Sequence, residues 1–334
     1  MATLTDTAFP NIVNVARRLD PDGAIAAIAE LLSKMGDDLV NDIPWQEGNL
    51  PTGHRITTRT GLPTPSWRKL NQGLDPVKSE TMQYDETCGM LEAWSRVDRD
   101  IARLNGNEAA WRASEDAAFI MSLRQQLGTA VFYESATTNP ERIHGLSPRY
   151  GGTTGYTASS YTLRPFAQAG GTADNHSIWL INWAPRKVYG IYPRGSGVGL
   201  QYENLGLVPT RDANNKEFLA YVSQFQWKCG LAVEDYRYVV RYQWDPSDAT
   251  NYPDSGKNLY LGLQQMLVTC YDMGAGNARF YMNRTSFAKL TAQLASNSAN
   301  FLQWVTTENG RLIPAFLGVP IRVTDLLVAE SYIS

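Results

Sequence analysis

Between Gly48 and Leu74 the chain is punctuated by Gly48, Pro51, Gly53, Gly61, Pro63, Pro65 and Gly73, set around Thr-rich pieces such as Ile56-Thr57-Thr58-Arg59-Thr60. Glycine and proline interrupt helical and strand patterns alike. What lies between them is too poor in large apolar residues to build a core. The segment therefore reads as a long β-hairpin or an extended loop rather than a packed element. It carries Arg55, Arg59, Arg68 and Lys69 and no acid. Residues Asp75 to Asp116 reverse the balance, with ten acids against five bases. Two readings fit adjacent segments of opposite sign. They are solvated faces, or the basic loop reaches over an acidic surface on a neighbouring subunit.

The rest of the chain has the means to fold around such a loop. With 334 residues, 43% of them hydrophobic, it can bury more than one small core, and two domains are expected. Disorder is excluded, since it requires low hydrophobicity and high net charge. A net charge of −3 argues against a protein that wraps nucleic acid with basic surface. Cys88, Cys229 and Cys270 are odd in number and widely spaced, which suits free thiols in a reducing compartment. The N-terminus shows no basic region followed by an apolar one, so no signal peptide is expected. The apolar run Ala24 to Leu32 contains Glu30 and is too short to span a bilayer. A cytosol-like milieu and no membrane partner follow as expectations.

Asp20-Pro21 reads as a helix start, with the acid as cap and proline in the first turn. Ile25, Ile28, Leu32, Met35 and Leu39 then recur at helical spacing over about four turns. This stripe must dock on the subunit's own core or on a neighbour. A second helix starts after Asn107, its likeness to a spine coming from Ile120, Leu123, Leu127 and Val131; Glu108 to Leu127 would be about 30 Å long. From Thr137 to Thr172 Gly, Ser, Thr and Pro dominate. Short alternating runs follow at Ser177 to Trp183, Lys187 to Tyr192, Phe218 to Trp227 and Tyr236 to Trp244, as in a β-rich domain. Leu259 to Tyr271 reads as a helix and Ala278 to Met282 as a strand. Asn283 or Thr285 caps a helix bearing Phe287, Leu290 and Leu294. Arg311 to Leu317 and Val319 to Thr324 form a closing strand pair. Nine Trp and 17 Tyr, many among polar neighbours, suit protein interfaces and sugar-binding platforms equally.

No catalytic, cofactor or metal residue emerges. The cluster Gly195 to Gly199 lacks the Lys-Ser/Thr pair of a phosphate loop and reads as a turn. Asp245, Asp248 and Asp254 lack the glycine and glutamate of a calcium loop. His54, His144 and His176 have no ligand spacing and no nucleophile elbow beside them, so structural roles are expected. The acidic pairs are assigned to helix surfaces, where salt bridging is ordinary.

The order of these features resembles the major capsid protein of tailed bacteriophages, podophage-type, with the Hong Kong ninety-seven type of fold. The local match is carried by Arg59-Thr60-Gly61-Leu62-Pro63 with Trp67-Arg68 and Asn71, by Gly145-Leu146-Ser147-Pro148-Arg149-Tyr150, and by Trp183 with Val188-Tyr189-Gly190-Ile191-Tyr192-Pro193. Asp235-Tyr236-Arg237-Tyr238-Val239-Val240-Arg241, Phe280-Tyr281-Met282-Asn283-Arg284 and Gly318-Val319-Pro320-Ile321-Arg322 complete it, so that it extends from about residue 50 to 325. The resemblance implies an α+β fold divided into an N-terminal arm with an amphipathic helix (1–45), an extended β-hairpin loop (46–90) and a peripheral domain with the spine helix (91–144). A β-rich axial domain (145–275) and a return to the peripheral domain (276–334) would follow.

It further implies hexamers and pentamers of a non-enzymatic subunit, closing into an icosahedral virion shell around double-stranded DNA without sequence-specific binding. Assembly would take place in the bacterial host cytoplasm. Implied partners are the chain itself, a separate scaffolding protein suggested by the short arm, a portal protein and a decoration protein. Nothing marks Lys69 as reactive, so no covalent crosslink is expected. Arg55, Arg59, Trp67, Arg68 and Lys69 are the expected loop interface, and Ile25, Ile28, Leu32 and Met35 the docking arm. The rival readings are another phage structural protein, of decoration or tail, and a carbohydrate-binding or carbohydrate-active protein.

Overall fold

The computed structural model describes residues 38–103, 108–151, 162–163, 175–212, 214–244, 259–296, 302–306 and 312–330. The stripe Ile25, Ile28, Leu32 and Met35, the cap Asn107 and the aspartates at 245, 248 and 254 lie outside the described residues. The chain runs through α1 (Asp38–Asp42), β1 (Trp45–Glu47), β2 (Gly53–Gly61), β3 (Glu80–Thr87), β4 (Gly89–Asp98), α2 (Arg99–Arg103) and α3 (Glu108–Tyr133). After α4 (Leu146–Arg149) come β5 (Thr162–Leu163), β6 (His176–Trp183), β7 (Val188–Tyr192), β8 (Leu200–Arg211), β9 (Glu217–Val233) and β10 (Val239–Trp244). Then follow α5 (Leu259–Thr269), β11 (Asn277–Met282), α6 (Arg284–Ser296), β12 (Leu302–Thr306), β13 (Leu312–Phe316) and β14 (Val319–Val323).

Among the described residues these strands form three sheets. The first is ordered β1-β7-β9-β4, with β8 also paired to β9. The second is ordered β12-β13-β14-β11-β6-β10-β5, and the third is the antiparallel pair β2-β3. In the second sheet β6 is buried on both faces from Ser177 to Trp183. Its residues divide by the two-residue period of a strand. Trp179, Ile181 and Trp183 enter one core, with Leu127, Val131 and Phe132 of α3 and Trp227 and Leu231 of β9. Ile178 and Leu180 enter the other, with Leu259, Leu263 and Met266 of α5 and Leu290 and Leu294 of α6. A strand covered on both faces needs a continuous apolar run, which is why β6 and β10 read so clearly in the sequence.

The helix α3 exceeds its expected length by a turn and a half or more, since Ala130, Val131, Phe132 and Tyr133 continue the packing past Leu127. Its 26 residues span about 39 Å. It lies on the first sheet: Phe119 stacks on Phe225 at 6.0 Å, and Arg112 donates to Asn204 and Ser223. Asn283 does cap α6, its Oδ1 accepting from the Ser286 amide at 2.8 Å. The closing hairpin turns at Leu317 (φ 48°) and Gly318 (φ 86°), the left-handed pair that a two-residue turn between twisted strands demands.

Strand pairing in the structure runs across positions 145 and 275, and two readings from the sequence are corrected. β9 pairs back with β4 and β8 pairs with β9, while β11 pairs with β6 and, through β14, brings β13 into the sheet of β6 and β10. Antiparallel pairing between strands more than a hundred residues apart leaves no local mark. Among the acids, Glu80, Asp85, Glu86 and Glu92 lie on strands rather than on helix surfaces. The tryptophans are not chiefly a surface: Trp111, Trp179, Trp183, Trp227 and Trp244 are buried.

In α5 a methyl group on Gly262 would lie 2.2–2.4 Å from the ring and hydroxyl of Tyr242. Helix propensity alone favours alanine there by roughly 1 kcal/mol. Overpacking against a buried ring outweighs it, so Gly262→Ala should destabilise the subunit by about 1–3 kcal/mol in urea unfolding.

Candidate subunit interface

The two-stranded β2-β3 hairpin lies within the segment read from the sequence as an extended loop or β-hairpin, and its root is built to hold it at a fixed attitude. Gly53 faces Thr87 in the first row and Gly61 faces Glu80 in the eighth, with an irregularity between Arg59 and Gly61. Ile56 is buried beneath it against Tyr189 and Ile191, and Tyr84 donates to the Val233 carbonyl at 2.8 Å. Asn49 accepts from the Arg55 amide and donates to the Arg55 carbonyl, closing the entry turn. Glu86 is 5% exposed and receives both guanidinium arms of Arg149, at 2.5 and 2.7 Å. Arg149 also donates to the carbonyls of Gly145, His144 and Leu231, so a largely buried, multiply hydrogen-bonded ion pair joins hairpin to body.

Each residue assigned from sequence to the loop interface has a definite place. Arg55 faces Asp85 across the hairpin and bonds both its carboxylate oxygens, at 2.7 and 2.8 Å. Part of the sign complementarity between the two segments is thus satisfied within one chain, and Arg55 is occupied. Arg59 is exposed opposite Thr81. Trp67, Arg68 and Lys69 lie in the tip, residues 62–79, which forms no strand. No carboxylate pairs with Arg59, Arg68 or Lys69 among the described residues. Trp67 is fully exposed and Leu70 94% exposed, with Leu62, Leu74 and Val77 also outside any core. Those four aliphatic residues were not singled out in the sequence, although apolar side chains in a segment with no core to enter were the available signal.

Other candidates have structural surroundings. His54 lies 3.9 Å from Glu234, and His176 bonds Asn283. Burial, with Arg149 nearby, pushes the pKa of His144 down and keeps it neutral. Burial raises the thiols of Cys88, Cys229 and Cys270 to about 12, so they are poor nucleophiles. Among the described residues no group of three His, Cys, Asp or Glu is placed to hold a metal, and no helix is long and apolar enough to cross a membrane.

A hairpin arm rooted in an α+β body, a long helix laid along one sheet and a second sheet flanked by helices define the Hong Kong ninety-seven type of capsid protein. A solved structure of bacteriophage Epsilon15 is similar to this chain over 99% of both chains, with 29% identity and a TM-score of 0.78. The family model described as major capsid protein GP7 matches residues 20–333, and the chain belongs to that family. It is a structural protein of a bacteriophage shell. Weaker likenesses include the bacteriophage JBD30 capsid (9% identity, 92% of this chain and 99% of that one, TM-score 0.48). Another is the capsid of a native GTA particle (10% identity, 68% and 95%, TM-score 0.43). No curated protein matches in sequence.

Two predictions concern the root. Glu86→Gln leaves the Arg149 charge buried without its counter-ion and should cost about 3–5 kcal/mol in urea unfolding of dissociated subunits. The hydrogen bond from Arg55 holds the Asp85 carboxyl below the usual carboxylate range. A lowered folded pKa stabilises above the ordinary value of about 3.9 and ceases to as pH falls through the folded value. Amide exchange in β2 and β3 should therefore be faster in Asp85→Asn than in the native chain at pH 7, and the two should converge only in strong acid.

Proposed function

We propose that copies of this chain assemble as hexamers and pentamers into an icosahedral shell enclosing double-stranded DNA, with each hairpin lying across a neighbouring subunit. The observation that carries this reading is the hairpin itself: ion-paired at its root, packed on the body only as far as Ile56 and Tyr84, and tipped with exposed Trp67, Leu70, Arg68 and Lys69. A tip with these side chains gains stability only by covering another surface. Arg59, Trp67, Arg68 and Lys69 would make the contact, while Arg55 stiffens the arm through Asp85. Ile25, Ile28, Leu32 and Met35 would supply a second docking seam ahead of α1. The subunit would do no catalysis.

A surface ion pair contributes only about 0.2–1 kcal/mol, so each arm is a weak clasp. Repetition over a closed shell makes weak clasps collectively firm while letting misplaced subunits leave. A slight negative net charge keeps the chain from condensing on its DNA. A separate scaffolding protein would set the curvature, a portal protein would occupy one vertex, and a decoration protein could bind the finished surface. Assembly would proceed in the bacterial host cytoplasm. The burial of five tryptophans speaks against the sugar-platform alternative.

Electron microscopy of the protein expressed alone and with its scaffolding partner, at near-physiological salt, should show closed shells. The double reversal Arg59→Glu with Arg68→Glu should abolish or strongly reduce them while the subunit keeps its circular dichroism and unfolding midpoint. Normal shells from that variant would refute the loop assignment, and a native chain that stays monomeric would refute the shell.

A further inference from the structure

At the root of the hairpin, on the body, lies a cleft of about 250 Å³ between β4, α3 and the segment 134–143. Its floor is Leu91, Leu127, Ala130 and Ile143, with Met90 exposed at the lip. The outer wall lies directly on the strand: a Cβ on Gly89 would stand 3.0 Å from the Glu141 carbonyl oxygen and 3.3 Å from Ile143 Cγ2. Glu134 and Glu141 form the rim. Arg142 bonds Glu134 at 2.6 and 2.7 Å and lies 3.8 Å from Glu141, so two carboxylates share one guanidinium. An apolar floor below an acidic rim has the chemistry to receive a large apolar side chain flanked by cations.

We propose that Trp67 of one copy seats in this cleft on a second copy, with Arg68 and Lys69 over the Glu134 and Glu141 rim. The proposal rests on the reading of the hairpin as an arm between subunits, and it names where the arm ends. Charge selects this cleft over the other groove beside the first sheet, of about 240 Å³, which is lined by Trp94 and Leu205 together with Arg96 and Arg211. Arg211 there is paired with Glu217 at 3.4 Å, but Arg96, over the Trp94 ring, adds a positive charge that would repel a basic tip. Size agrees as well, since the cleft is smaller than a typical ligand pocket and suits one or two side chains.

The occupant must come from another copy. The paired rows from Gly53↔Thr87 to Gly61↔Glu80 hold the tip about 24 Å from the root, at about 3.4 Å per row. The cleft begins at Gly89, just beyond that root, so a chain cannot reach its own cleft without unzipping β2 from β3. Tip and cleft are different surfaces, which makes the contact heterologous. Repeated from copy to copy, such a contact closes into a ring when the rotation allows.

Shells assembled from equal amounts of Trp67→Cys and Met90→Cys chains, then oxidised, should yield covalent dimers that neither variant yields alone. A chain carrying both substitutions should give a ladder of cross-linked oligomers. The native thiols are half-buried or buried, and the native chain sets the background. Trp67→Ala should raise the critical assembly concentration by about tenfold or more, as loss of an aromatic anchor does, and Trp67→Phe should restore much of it. Well-formed shells without the Trp67–Met90 cross-link would overturn this seating alone, as would cross-linking of Trp67→Cys to Leu205→Cys in the other groove. Native chains that never assemble would overturn the arm reading and this one with it.

Discussion

A guanidinium buried at the foot of a projecting hairpin has to be neutralised there, and the way Arg149 is neutralised decides how the hairpin leaves the body. Its partner, Glu86, is on the hairpin; its remaining donors go to carbonyls of the body. Removing a charge from water costs several kcal/mol, and the arrangement recovers that cost only while both carboxylate oxygens stay aligned. The pair thus acts as an orientation lock more than as a source of stability. The same device recurs. Asp42, just ahead of β1, accepts from Arg322 and Tyr281, and Arg241 in β10 pairs with Glu330 near the C-terminal end of the described chain. These last two ion pairs fix peripheral pieces onto the double-faced second sheet.

That sheet explains why such locks are affordable. With apolar side chains on both faces of β6 and β10, the body has two cores sharing one layer, and dispersion and burial there supply most of the folding free energy. The hairpin contributes little to either core. Its conformation is held by backbone pairing, by Arg55 on Asp85 and by the root, so its outer half is free to be specified by a neighbour rather than by the subunit's own packing.

Much of this was legible in the residues. β6, β7, β10 and α5 read correctly because strands and helices buried on one or both faces write their period into the sequence, and the hairpin read correctly because glycine, proline and threonine exclude other structures. The family resemblance was legible too, through short motifs such as Gly145 to Tyr150, which contains the Arg149 that locks the root. What was not legible is longer in range. β4 and β8 went unread because their outer faces mix Met90, Trp94, Leu205 and Leu207 with Glu92 and Glu203, which blurs alternation. The pairing of β9 with β4 depends on contacts across more than a hundred residues, and the capture of Arg55 by Asp85 depends on hairpin register. Local pattern carries neither. The tip's aliphatic residues were visible but had no meaning until the rest of the hydrophobic side chains had been placed in cores.

The β2-β3 ribbon has a further consequence for the life of the free subunit. In a sheet of only two strands both outer edges lack a β partner among the described residues, and they offer rows of unpaired amides and carbonyls. Any second ribbon could add to such an edge, and stacked addition is the geometry from which cross-β fibres grow. Thr57, Thr58, Arg59, Thr81 and Gln83 line the ribbon where apolar residues would make that addition favourable. Polar and charged side chains slow the wrong pairing without forbidding it. A newly made chain is therefore in a race between the right neighbour and a misplaced copy of itself, and the rate at which partners cover the ribbon sets how much protein a cell can make without losing it to insoluble material.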